Sequence, residues 1–238
     1  MKSRQIRGPF LAKIHEDEYM TITQAIFAAF TQCRTKSHLS HSDVLAENAL
    51  GQARQLWERL YQRNGRSKLR AGILDNQLYV GTPAKEAIQQ QRHRLILDCT
   101  IQVSDLCSHV HALELVRSPG SKGRSAYVPI RFVSTERTST ADKLLLTFDA
   151  LVFSQACGIT PPRLGKLIHG REYRMTTVPL AALYGKVQSI LTAISAQHNS
   201  TTPPPLMLNK YCIECQYMAR CRENATRSDE LTLLAKMS

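Results

Sequence analysis

The segment KYCIECQYMARCREN, residues 210–224, carries three thiols within ten residues: Cys212, Cys215 and Cys221. The two-residue gap between Cys212 and Cys215 lets both thiolates face one ion, as in most thiolate metal sites. Cys221 follows Cys215 after five intervening residues, which is not a second knuckle, and no His follows at finger spacing. A compact zinc finger is therefore not encoded. Three soft ligands in one segment need a fourth from far away in sequence. Cys99, Cys107 and Cys157 lie in apolar strand or helix runs, where a small buried thiol is the expected state. Cys33 differs, because it closes a helix and is followed by Arg34, Lys36 and His38. It is the predicted fourth ligand. Four thiolates without histidine suit an iron–sulfur cluster or zinc, and spacing does not separate the two.

The elements that would have to position these thiols follow from periodicity. TITQAIFAAFTQCRTKSHL predicts a helix capped by Thr21 or Thr23. SDVLAENALGQARQLWERLYQRNG predicts a second, with Ser42 as cap, Gly65 as stop, and Leu45, Leu56 and Leu60 on an apolar stripe beside an arginine-rich face. AGILDNQLYVG reads as a hairpin turning at Asp75-Asn76, and AKEAIQQQRH as a short helix. RLILDCTIQVSD, SHVHALELV and SAYVPIRFV read as three strands, with the basic loop RSPGSKGR between the last two. TADKLLLTFDALVFSQACG predicts an apolar helix from Thr140 to a Gly158 stop. One or two strands in LGKLIHGREYRMTTVPL, a helix in AALYGKVQSILTAISAQ and a stiff NSTTPPP break complete the order. The expected class is α/β with a mixed sheet flanked by helices. The expected division is an extension over 1–20, one domain over 21–200, and a cysteine segment over 201–238 packed on that domain.

The stretches FAAFTQCRTKSHL near the start and LNKYCIECQYMARC near the end resemble the two halves of the iron–sulfur RecB-like nucleases, which include CRISPR-associated RecB-like exonucleases. YVPIRFV, DKLLLTFDAL and LGKLIHG extend the resemblance over roughly residues 20–238. The resemblance implies a restriction-endonuclease-like PD-(D/E)XK core whose N- and C-terminal segments are clasped by a 4Fe–4S cluster on Cys33, Cys212, Cys215 and Cys221. In such relatives the region of SDELTLLAKMS leads into further domains, one of them ribonuclease-H-like. A further nuclease domain or a protein partner is thus implied.

A PD-(D/E)XK site needs an Asp on one core strand and Glu-x-Lys on the next. The carboxylates hold Mg²⁺ or Mn²⁺, which polarises the phosphate and acidifies the attacking water. Aligned on the family pattern, this chain has His111 at the Asp position, Arg131 and Val133 at the Glu and Lys positions, and Leu144 at the helix Gln position. An Arg in place of a carboxylate repels a divalent cation. Asp98 and Asp105 are the candidates for displaced carboxylates. His109 and His111 share a strand face, but an HxH alone is weak evidence of a metal site.

The chain has 31 Lys+Arg against 19 Asp+Glu, a net charge of +12, which suits a polyanionic partner. The candidate phosphate contacts are Arg117, Lys122, Arg124, Arg131, Arg171 and Arg174, with DNA as the first partner and RNA as the second. No run approaches the roughly 18 apolar residues of a membrane helix, and seven cysteines fit metal ligands and core thiols in a reducing cytoplasm. The expected function is nucleic-acid binding by a catalytically degenerate iron–sulfur RecB-like domain. The alternatives are an active Mg²⁺-dependent exonuclease using displaced carboxylates and a zinc-stapled protein-interaction module.

Overall fold

The computed structural model describes residues 21–40, 48–117, 125–229 and 233. The expected 1–20 extension, Ser42, Leu45, Lys122 and Arg124 lie outside the described residues. β1 (Ile22–Thr23) runs into α1 (Gln24–Gln32), then α2 (Arg34–Leu39) and α3 (Ala49–Arg70). β2 (Leu78–Val80) and α4 (Lys85–Gln89) precede the three central strands β3 (Leu95–Val103), β4 (Leu106–Arg117) and β5 (Ser125–Val133). α5 (Thr140–Cys157) crosses to the hairpin β6 (Leu164–His169) and β7 (Arg174–Pro179), followed by α6 (Tyr184–His198) and α7 (Met218–Arg227).

The sheet has seven strands in the order β2-β3-β4-β5-β6-β7, with β1 added beside β4. β2–β3, β5–β6 and β1–β4 are parallel and the other pairs antiparallel. This is a mixed α/β architecture, as the alternation of periods predicts. α5 is buried along its length on one face of the sheet, where Phe148, Val152 and Phe153 meet Ile96, Val110 and Leu113. Ser139, not Thr140, caps it: the Ser139 hydroxyl accepts from the Asp142 N–H, and the Asp142 carboxylate accepts from the Ser139 N–H at 2.7 Å. Gly158 ends it with φ 64°, a left-handed turn that costs glycine nothing.

Two further expectations fail for reasons of packing. Residues 75–77 form a single 3-10 turn, and β2 pairs parallel with β3. The expected hairpin is therefore absent, because a parallel neighbour gains a ladder that two short exposed strands lack. Gly65 does not stop α3, which is capped by Asn48 and runs through to Arg70. Gly65 is needed in mid-helix because a Cβ there would stand 2.4 Å from the Phe132 ring. Gly65→Ala is expected to destabilise the fold by about 1–3 kcal/mol through overpacking, despite alanine's better helix propensity. A urea midpoint at or above that of the parent would refute this close contact. α3 covers the second face of the sheet with Tyr61, over Ile130, Phe132 and Ile168. Leu56 and Leu60, on the apolar stripe beside the arginines, are exposed.

Candidate metal centre and the strand fork

Cys33 sits at the break between α1 and α2, in extended backbone with φ −163°. It ends one helix and caps the next, and its Sγ accepts the Lys36 N–H at 3.4 Å. Across from it, the Asn209 N–H donates to Cys212 Sγ at 3.2 Å, and Asn209 Nδ2 reaches back to the Gln32 carbonyl at 3.1 Å. Tyr217 donates its hydroxyl to the Leu39 carbonyl at 3.2 Å, and Asn48 Nδ2 donates to the Cys215 carbonyl at 3.2 Å. These bonds dock the cysteine segment on the early helices, with Leu39, Cys215, Tyr217 and Cys221 forming a small apolar cluster.

Cys33, Cys212, Cys215 and Cys221 line one cavity, together with Lys36, Leu206, Leu208 and Tyr217. The structure therefore places the three thiols singled out by spacing and Cys33, the predicted fourth, around one cavity. Burial first, and the neighbouring thiols in addition, push Cys215 up and Cys221 up to about 11. Four thiolates gathered there require a cation to offset their mutual repulsion. The donor set fits a thiolate metal group: four sulfurs, N–H donors to two of them, and Lys36 among the lining residues. As placed, the thiols surround the cavity without closing on a point, and no three His, Cys, Asp or Glu side chains among the described residues form a ready metal site. Cys99 and Cys157 are buried in the main core, as expected.

The second region of interest is a fork in the sheet. β4 pairs with β5 only from Ala112 to Arg117, while its other end pairs with β1 at Leu106 and Cys107. Between these stretches the edge of β4 has no strand partner on that side. Side chains supply the missing hydrogen bonds, as buried backbone groups require. Gln24 Nε2 donates to the His109 carbonyl at 3.0 Å, and the Phe132 N–H donates to His111 Nδ1 at 3.1 Å. The same Gln24 amide also contacts Asp149. Asp149, wholly buried on α5, further accepts the Ser108 hydroxyl at 2.8 Å and the Arg131 guanidinium at 2.6 Å.

This network decides where the sequence-predicted positions stand. His111 and Arg131 do lie on adjacent strands. Val133 and Leu144 are apolar core residues. Arg131 was expected to be a phosphate contact, but it points inward onto Asp149 with 12% of its side chain exposed. Its carboxylate partner is neither Asp98 nor Asp105. Asp105 lies in the β3–β4 turn, about 20 Å along the strand direction from His111 at strand rise. Asp98 has φ +55° in mid-strand, opposite His111, and pairs with Arg66 at 2.7 Å and His109 at 3.4 Å. Arg171 and Arg174 share Glu136, at 3.7 and 3.2 Å. Arg117 is the last residue of β4.

Asp149 is the residue sequence reasoning missed. Its signal was present: a lone acid inside the apolar run LLLTFDALVF must be buried, and a buried carboxylate must have partners. His111 is fully enclosed. Burial first, then the Arg131, His109 and Arg66 charges, hold its pKa well below the usual value of about 6.5. The unfolded chain thus takes up a proton near pH 6.5 that the folded chain refuses. Stability present above that pH is lost as pH falls through it. His111→Asn is expected to flatten the decline in melting temperature below pH 6.5. Equal slopes in the parent and His111→Asn would refute this.

No protein-family profile and no curated protein matches the chain. Among solved structures, it is similar to the crystal structure of SSO0001 at 14% identity, covering 87% of this chain and 88% of that one, with a TM-score of 0.42. A likeness this distant bears on no chemical property of the chain. Among the described residues, no helix is long and apolar enough to cross a membrane.

Proposed function

We propose that this chain is a nucleic-acid-binding, catalytically degenerate domain of the iron–sulfur RecB-like nuclease type, with a 4Fe–4S cluster held by Cys33, Cys212, Cys215 and Cys221. The observation that carries the reading is that these four thiols line one cavity although they come from opposite ends of the sequence. When bound, the cluster would act as a staple between α1–α2 and the C-terminal segment. The chain's own groups prepare for it: the Lys36 and Asn209 N–H groups donate to sulfur, and Lys36 borders the thiols. Degeneracy is supported by the fork. There a buried Arg131–Asp149 pair, bonded to Ser108 and Gln24, stands where an active relative needs open carboxylates for a divalent ion. With Arg131 already on one carboxylate oxygen and two other donors on the other, Asp149 has no free oxygen for Mg²⁺.

The nucleic-acid reading rests on the +12 net charge and predicts salt-sensitive, weakly sequence-specific binding. Three measurements on the purified protein test the proposal. Iron and sulfide content with a broad absorbance near about 400 nm is expected for a thiolate cluster, whereas stoichiometric zinc without colour would replace it with the zinc-stapled reading. DNA affinity should fall steeply with added salt, and binding that ignores salt would count against this mode. Cleavage with Mg²⁺ or Mn²⁺ should be absent. Activity lost on Asp98→Ala or Asp105→Ala would instead establish displaced carboxylates.

A further inference from the structure

α3 presents two faces with opposite fates. Its C-terminal half meets the sheet through Tyr61 and Gly65, with Glu58, Gln62, Arg66 and Leu69 half-buried beside them. Its N-terminal half leaves large apolar side chains in water: Leu50 at 52% exposure, Leu56 at 60%, Trp57 at 58% and Leu60 at 44%. The positions 50, 53, 57 and 60 repeat with the three-four spacing of a helix–helix seam, with Leu56 widening it on one side. The helix is held firmly in this pose. Asn48 caps it and bonds the Ile213 and Cys215 carbonyls, and Arg54 pairs with Glu214. The apolar stripe is thus a fixed feature beside the cysteine segment, and Ile213 (67% exposed) lies at its foot.

The charges along the stripe have a definite sign. α3 carries six basic residues and one acid. Arg54, Arg66 and Arg70 are ion-paired, and Lys68 lies over the Tyr173 ring. Arg59 and Arg63, one turn apart, are exposed and have no ion-pair partner among the described residues. They border Leu56 and Leu60 at helical spacing. We propose that the exposed stripe Leu50–Ala53–Leu56–Trp57–Leu60 of α3 is a docking site for an acidic amphipathic helix of a partner protein.

Alternative occupants fit less well. A second copy would set Arg59 and Arg63 against the same cations of its mate. Nucleic acid would match the arginines but leave three exposed leucines against phosphate and sugar, with only Trp57 able to stack. An acidic helix with apolar anchors at i, i+3, i+4 and i+7 satisfies both the leucines and the arginines. This inference stands apart from the nucleic-acid reading and does not need it.

Trp57 is the single tryptophan of the chain, so its emission reports on this site alone. The probes are two synthetic helical peptides with the same leucine seam, one flanked by Glu and one by Lys. The Glu-flanked peptide is expected to shift Trp57 emission to the blue with saturation. Arg59→Glu with Arg63→Glu should weaken that binding by at least about tenfold and turn preference toward the Lys-flanked peptide. Leu56→Ser with Leu60→Ser should abolish binding with only a small fall in melting temperature, from the lower helix propensity of serine at two largely exposed positions. No shift with the Glu-flanked peptide, or equal binding of both, would overturn the proposal. So would a Trp57 shift produced instead by raising protein concentration, by anionic phospholipid vesicles or by an oligonucleotide.

Discussion

Cys33→Ser is expected to lose the bound metal as completely as Cys215→Ser does. The two thiols come from opposite ends of the sequence but line the same cavity, so in the proposed cluster neither would be a spare ligand. The effect on stability should also be large. A metal bridge from Cys33 to the 212–221 segment closes a loop around nearly the whole sheet. In the chain-entropy picture such a cross-link is worth about 5 kcal/mol, less whatever strain it introduces. Metal analysis and a denaturant titration on the purified variant test both parts. Retention of full metal content in Cys33→Ser would remove Cys33 from the ligand set, whatever happened to stability. Cys99→Ser is the matched control. That thiol is buried in the core, and its replacement should affect packing but not metal.

The second large effect is expected at Asp149. Asp149→Ala leaves the Arg131 guanidinium in a nearly closed site without its counter-charge, and deprives Gln24 and Ser108 of an acceptor. Breaking one side of a buried ion pair costs about 3–5 kcal/mol, more than most single substitutions in a domain of this size. Replacing both partners with apolar residues, Asp149→Leu with Arg131→Met, should recover most of that loss, because no unpaired charge remains. Chemical denaturation of the two single variants and the double variant forms the test. A cost below about 1 kcal/mol for Asp149→Ala would mean that the pair is not the keystone of the fork.

How far these features were legible in the sequence differs from one residue to the next. The cysteine grouping was legible because thiols are rare, and their spacing limits what they can hold. The strands β3, β4 and β5 and the helix α5 were legible because period-two and period-3.6 runs are local properties. What failed depended on remote packing. Gly65 carries a strong local stop signal, but the Phe132 ring, from a strand far along the chain, makes a glycine necessary inside the helix. Arg131 was expected to contact phosphate from the place where the family pattern has its Glu. Its partner Asp149 lies a helix away, and no local pattern connects them. Leu56 and Leu60 had the right spacing for a buried stripe, but the sheet is covered by the neighbouring face of the same helix. Periodicity says that a face is apolar and not what lies against it.

One consequence follows from the place of α1. Its first residue, Gln24, is bonded to Asp149 at the fork, and Cys33, immediately after its last, lines the thiol cavity. Nine helical residues at 1.5 Å each make a strut of about 14 Å between the two. An α-helix barely stretches, so a displacement imposed at the thiols has two outlets. It pushes the strut along its axis against the Gln24 amide, or it is taken up by the extended residue at Cys33, where α1 gives way to α2. A movement at the sulfurs that the strut carries would reach the buried acid through the Gln24 amide, and one absorbed at Cys33 would leave that acid where it stands.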